Sequence, residues 1–159
     1  MRFPHYTQLD AMDCGPTCLR IIAAFYGRHY SLQNLRNRCH ITREGVSLLG
    51  ISDAAESIGL RSAGVKLTWE QLRDEANFPC IVHWNQRHFV VVYKIEKKRG
   101  QWWVYVSDPA VGLLKYSERQ FLKSWLQTGA EDSVLQGDLS GDSSAKGIAL
   151  LLEPKPEFY

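Results

Sequence analysis

The segment Met12-Asp13-Cys14-Gly15-Pro16-Thr17 places a cysteine where a helix begins. Pro16 suits a first helical turn, and Leu19, Ile22, Ala23 and Tyr26 follow at helical spacing until Gly27 ends the pattern. A thiol at such a mouth faces unpaired N–H groups and the positive end of the helix dipole, which favours thiolate over thiol. The same N–H groups can stabilise the oxyanion that forms when a thiolate attacks a carbonyl carbon. Taken alone, a cysteine in that position is more often a packing residue, because free cysteine is among the most buried residue types. A nucleophile also needs a base, and the base needs a partner that holds its tautomer. His88 opens the apolar run His88-Phe89-Val90-Val91-Val92, directly after the polar turn Asn85-Gln86-Arg87. Asp108 closes the next such run, where Pro109 stops the ladder. If the two runs pair antiparallel, the start of one lies beside the end of the other, and His88 meets Asp108. His83 competes as a base, but strand alternation places it mid-strand beside Trp84.

Around these residues the N-terminal half reads as helical. Ser31 caps a second short helix running through Leu35 towards Cys39. Ser47 caps a third, with Leu48, Ile51, Ala55 and Ile58 on one stripe and Gly59 as terminator. A short strand spans Ser62 to Val65, and Thr68 with Gln71 has capping-box spacing before another helix. The C-terminal half reads as sheet. Cys80 to Trp84, His88 to Ile95 and Gln101 to Val106 are near-continuous apolar runs, which suit strands covered on both faces. Ser117 and Gln120 open a helix carrying Phe121, Leu122 and Trp125; 129–147 reads as a Gly/Ser/Asp-rich loop; Ile148 to Leu152 is a last strand. The fold class is α+β, with N-terminal helices packed on a C-terminal antiparallel sheet.

The totals narrow the function. At 159 residues one domain is expected, large enough to bury a core without disulfides. Nineteen basic against 17 acidic side chains give a formal charge of +2, too balanced for a nucleic-acid partner. No apolar stretch approaches the ~20 residues of a membrane helix, and Met1-Arg2-Phe3-Pro4-His5 lacks the apolar core of a secretory signal. A cytosolic setting follows, so Cys14, Cys18, Cys39 and Cys80 read as thiols. A zinc site from Cys14, Cys18, Cys39 and His40 lacks the paired, closely spaced ligands of structural sites; no metal or cofactor is expected. Asp10 and Asp13 read as caps or braces of the turn before Cys14, and Gly15 as room for a substrate backbone beside the sulfur. His5, His29 and His40 read as surface residues. Of Trp102 and Trp103, which alternate on one strand, one belongs to the core and the other to a groove.

The order Cys, His, Asp matches papain-like peptidases, in which a helix carries the nucleophile and a sheet the other two. Beyond that order, Gln8-x-Asp10-x-x-Asp13-Cys14-Gly15 with Leu19, Ile22 and Tyr26-Gly27 resembles the N-terminal signature of the bacteriocin-processing cysteine peptidases, family C39. The resemblance continues through Gly45-Val46-Ser47, His83-Trp84-Asn85, His88-Phe89-Val90-Val91, Asp108-Pro109 and Gly112, and covers nearly the whole chain. It departs at Pro16-Thr17-Cys18 and in a longer loop over Glu131 to Lys146. It implies a papain-like peptidase domain over 1–153, with 154–159 starting a linker towards a transmembrane domain. It further implies that Cys14, His88 and Asp108 form a catalytic triad, and that Gln8 gives a side-chain N–H to the oxyanion hole alongside the Cys14 backbone. Members cleave precursor peptides after a double-glycine-type motif on the cytoplasmic side of the membrane. They do so within ABC transporters that also carry transmembrane and nucleotide-binding domains, and they dock an amphipathic helical leader. Two other readings stay open: a non-catalytic leader-binding domain, and a papain-like amidase or acyl transferase.

Overall fold

Four hydroxyl side chains start four of the helices. The N–H groups of Asn34, Gly50, Gln71 and Gln120 donate to the hydroxyls of Ser31, Ser47, Thr68 and Ser117, and the last two pairs form complete capping boxes. These caps open α2 (Leu32–Arg38), α3 (Leu48–Ser57), α4 (Trp69–Glu75) and α5 (Glu118–Trp125). The first helix, α1 (Cys14–Phe25), begins differently, from a 3-10 turn over Ala11–Asp13 in which Met12 N–H donates to Asp10. The computed structural model describes residues 2–41, 45–85, 87–126 and 145–158. Most of the 129–147 stretch therefore lies outside the described residues.

The strands are β1 (Leu60–Leu67), β2 (Cys80–Trp84), β3 (His88–Lys98), β4 (Gln101–Asp108), β5 (Gly112–Ser117) and β6 (Gly147–Pro154). They form one antiparallel sheet in the order β1-β6-β2-β3-β4-β5. The α+β expectation holds, with two additions. β1 comes from the N-terminal half and reaches the sheet only by pairing with the last strand. β5, unread in the sequence, returns along β4 after the turn at Asp108-Pro109-Ala110-Val111.

Burial explains the unbroken apolar runs. Ile81, Phe89, Val91, Leu150 and Leu152 face α1, α2 and α3, while Val82, Val90, Val92, Val104 and Val106 face Trp69 and Leu72 of α4 and Phe121 and Trp125 of α5. Adjacent strand residues thus serve two cores on opposite faces, and neither face can be polar. Trp102 and Trp103 are both half-buried; Trp102 packs against the second core, while Lys115 Nζ lies 4.6 Å over the Trp103 ring.

The segment after β6 also packs on the domain. Lys155 N–H donates to Gly59 O at 2.9 Å, Arg28 Nη1 to Phe158 O at 2.7 Å, and Phe158 is fully buried. Gly59 has φ +95°, and a Cβ there would meet the Phe158 backbone at 2.7 Å.

Candidate active site

Three parts of the chain converge at the mouth of α1. The first is α1 itself, whose opening residue is Cys14, 5% exposed and part of the core that α1 shares with α2, α3 and the sheet. The second is the β3–β4 pair. Val91 stands opposite Ser107, so the start of β3 lies beside the end of β4. His88 Nε2 donates to Asp108 Oδ1 at 2.7 Å, with the carboxylate 6% and the imidazole 21% exposed. Ala110 N–H also donates to Asp108 Oδ1, at 2.9 Å, which fixes the carboxylate through the turn that Pro109 stiffens. With Nε2 engaged by Asp108, Nδ1 is the nitrogen left for Cys14, which lies close enough to favour the imidazolium. The third part is the N-terminal segment. Gln8 N–H donates to Pro109 O at 2.9 Å, which ties Gln8 to the loop carrying Asp108, and Gln8 Oε1 is buried without a donor.

The electrostatics of His88 follow from these contacts. Burial is the largest single influence and disfavours the imidazolium, but hydrogen bonds and charge from Asp108 and Cys14 outweigh it. His88 is raised from 6.5 to about 9. At neutral pH the ring is therefore a cation held between a carboxylate and a sulfur. Such an assembly can keep a thiol ionised and later give a proton to a leaving group.

All four expected site residues are brought together: Cys14, His88, Asp108 and, on the adjoining loop, Gln8. A sequence profile of the Peptidase C39 family matches residues 2–130. The chain belongs to that family. Membership makes it a cysteine peptidase domain. It is similar to the colicin V secretion/processing ATP-binding protein CvaB of Escherichia coli, at 31% identity over 86% of this chain and 18% of that protein. It is also similar to the pediocin PA-1 transport/processing ATP-binding protein PedD of Pediococcus acidilactici, at 33% identity over 77% of this chain and 18% of that protein. The chain thus spans less than a fifth of the length of these relatives. Among solved structures it resembles a double glycine motif protease from an AMS/PCAT transporter in complex with the leader peptide. That likeness has a TM-score of 0.78 and 30% identity, covering 97% of this chain and 93% of that one. The peptidase domain of Streptococcus ComA, a bi-functional ABC transporter, gives a TM-score of 0.75 at 26% identity, covering 97% of this chain and all of that one.

Other residues of this C39 domain stand differently from their sequence reading. Gly15 does not open space for a substrate. A Cβ there would run into Val46 Cγ1 and lie 2.9 Å from Ile51 Cγ1, so the missing side chain lets α1 press onto α3. Gly15→Ala is expected to cost on the order of 1–3 kcal/mol by overpacking, lowering the midpoint of a thermal melt by several degrees. An unchanged melt would show that Val46 and Ile51 give way freely. Asp10 does cap the turn, whereas Asp13 makes no cap bond and is fully buried. His5 is not a bare surface residue: Nδ1 lies 2.8 Å from Ser107 Oγ, next to Asp108, and burial, ahead of the opposing influence of Asp108, holds it below the ordinary histidine value. His29 and His40 are exposed. His83 stacks on Phe89 with ring centres 4.9 Å apart. Cys18, one turn beyond Cys14, is fully buried and donates to Phe89 O at 3.4 Å. Burial first, then the charges of Cys14 and Asp108, push its thiol well up, which marks a packing thiol.

The anchoring of Gln8 was invisible in sequence. Phe3 stacks on Tyr93 at 4.1 Å, Arg20 lies 4.0 Å over the Tyr6 ring, and His5 meets Ser107, so residues 3–8 are strapped across α1 and β4. Only a Phe, His and Tyr close before Gln8 hinted at this. Their partners lie far along the chain.

Among the described residues no helix is long and apolar enough to cross a membrane.

Proposed function

We propose that this domain is a cysteine endopeptidase that removes the leader from a ribosomally made precursor peptide by cutting after a double-glycine-type motif. Cys14 is the nucleophile, His88 the acid–base group, Asp108 its orienting partner, and Gln8 an oxyanion donor. The observation that carries this is the His88–Asp108 pair, 2.7 Å apart, beside a nearly buried sulfur at a helix mouth. The likeness to a double glycine motif protease bound to its leader supports the substrate class.

The Cys14 thiolate attacks the carbonyl carbon of the scissile bond, and the carbonyl π pair moves onto oxygen. That oxyanion is met by helix-mouth N–H groups and the Gln8 amide. Collapse breaks the C–N bond as imidazolium His88 protonates the departing amine, leaving a thioester on Cys14 and a neutral imidazole. A water molecule then gives one proton to His88 as its oxygen attacks the thioester carbon; the second collapse expels the Cys14 thiolate beside imidazolium His88 and frees the leader as a carboxylic acid, which ionises to solvent. Asp108 keeps Nε2 occupied throughout, so the other nitrogen always faces the sulfur.

In the full-length protein the domain would work on the cytoplasmic side of the membrane, joined to transmembrane and nucleotide-binding domains of an ABC exporter. The secretion/processing relatives support this arrangement. Incubation with precursors bearing a double glycine, read by product mass, tests the reading. No fragment from any such precursor would sink it, and bound but uncut precursor would favour a leader-binding domain. Gln8→Ala should lower kcat on the order of a hundred-fold or more and move KM little, because an oxyanion donor acts mainly in the transition state. Small, equal changes in both constants would make Gln8 a structural anchor only.

A further inference from the structure

The carboxylate one residue before the sulfur is placed oddly for an acid at a helix start. Asp13 holds the N-cap position of α1, where an acidic side chain ordinarily accepts from the second or third helical N–H and steadies the helix. The third helical residue is Pro16, which has no N–H, so the ordinary target is Gly15 N–H. Asp13 leaves it untouched. Its side chain is fully buried and neither oxygen accepts a hydrogen bond. What it has is charge: Arg36 Nε, from α2, lies 3.1 Å from Asp13 Oδ1 in an ion pair without a hydrogen bond. An uncompensated buried carboxylate is strongly destabilising, and the Arg36 guanidinium is the cation placed to compensate this one.

The consequence falls on the nucleophile. A carboxylate folded onto the mouth of α1 would occupy an amide and set a negative charge beside the sulfur. Both effects oppose a thiolate and an oxyanion. We propose that Arg36 is a positioning residue for the thiol site: it draws the Asp13 carboxylate off the helix mouth and balances its charge, leaving the amides and the dipole to Cys14 and the developing oxyanion. This rests on the reading of Cys14 as nucleophile. The titratable and charged groups around Cys14 are His88 from β3, Asp108 from the end of β4, His5 beside Ser107, Cys18 one turn along α1, and Asp13 with Arg36.

The test compares Arg36→Met, Arg36→Lys, Asp13→Asn and Asp13→Asn/Arg36→Met, with folding checked by circular dichroism. Alkylation of Cys14 by iodoacetamide is followed against pH by mass of the Cys14 peptide, which needs no substrate, and kcat and KM are measured on a cleavable precursor. Arg36→Met should slow alkylation at pH 6 on the order of ten-fold by moving the acid limb upward, as an unbalanced like charge does. It should lower kcat by about ten-fold with KM within about two-fold. Arg36→Lys, which keeps the cation, should stay within about three-fold of the parent. The double variant should alkylate like Asp13→Asn alone, since no carboxylate remains to balance. Unchanged alkylation and kcat in folded Arg36→Met, or equal losses in the Met and Lys variants, would overturn the proposal. If Arg36→Met fails to fold, the lysine variant decides: a parent-like acid limb supports the charge role, and a displaced one refutes it. Slow alkylation of the parent protein across pH 5–8 would instead remove the nucleophile reading on which all of this stands.

Discussion

Cys14→Ala should bring cleavage down to the detection limit while leader binding stays within about two-fold of the parent. Loss of a covalent nucleophile from a catalytic set typically costs on the order of a million-fold in kcat, since no other group can form the acyl intermediate. Binding should survive because the sulfur is a single, nearly buried atom at the bottom of the site. The paired measurements are product mass over time and calorimetric titration with a leader peptide. Two other thiols serve as controls. Cys39 and Cys80 are both pushed up to about 12 by burial, so they remain neutral at working pH, and their alanine variants should keep cleaving with at most a loss of stability. Comparable cleavage by Cys14→Ala would overturn the assignment outright, whatever the geometry suggests.

The second large effect belongs to Asp108, and its size should depend on the replacement. Both donors to Asp108, His88 Nε2 and Ala110 N–H, use the same oxygen, Oδ1. An asparagine can place its carbonyl oxygen there, keep both bonds and lose only the charge. An alanine loses everything. Asp108→Ala is therefore expected to lower kcat/KM on the order of a thousand-fold, within the range of acid–base contributions, and Asp108→Asn considerably less. The pH profile carries the sign. In the parent, His88 is raised to about 9, so the imidazolium persists through neutrality and activity falls as pH rises through about 9. Removing Asp108 leaves burial, which disfavours the cation, less opposed, and the alkaline limb should move to lower pH. It should move further in the alanine than in the asparagine variant. An alkaline limb that stays near 9 in Asp108→Ala would hand the support of the imidazolium to another group.

The parts of this protein that could be read from its sequence are those whose physics is local. Ser31, Ser47, Thr68 and Ser117 announce helices because a hydroxyl and the N–H three residues on meet within one turn. The apolar runs announce covered strands because each residue pair must serve two buried faces. Even the approach of His88 to Asp108 was legible, since a hairpin brings the start of one strand to the end of the next. Where partners lie far apart in the chain, local pattern says nothing. His5 finds Ser107 across 102 residues, β1 finds β6, and Phe158 buries itself beside Tyr26. The short strand β5 escaped because its few residues, Gly112–Ser117, carry neither a long apolar run nor strict alternation. Gly15 and Asp13 show the limit most clearly. Their neighbours in sequence suggest a substrate gap and a helix cap, but α3 closes the gap and Arg36 of α2 holds the acid away. Residue type and spacing determined which groups could do chemistry, while the packing of α2 and α3 against α1 decided which way each of them faces. Side-chain direction at a helix mouth is set by what crowds it from outside the helix.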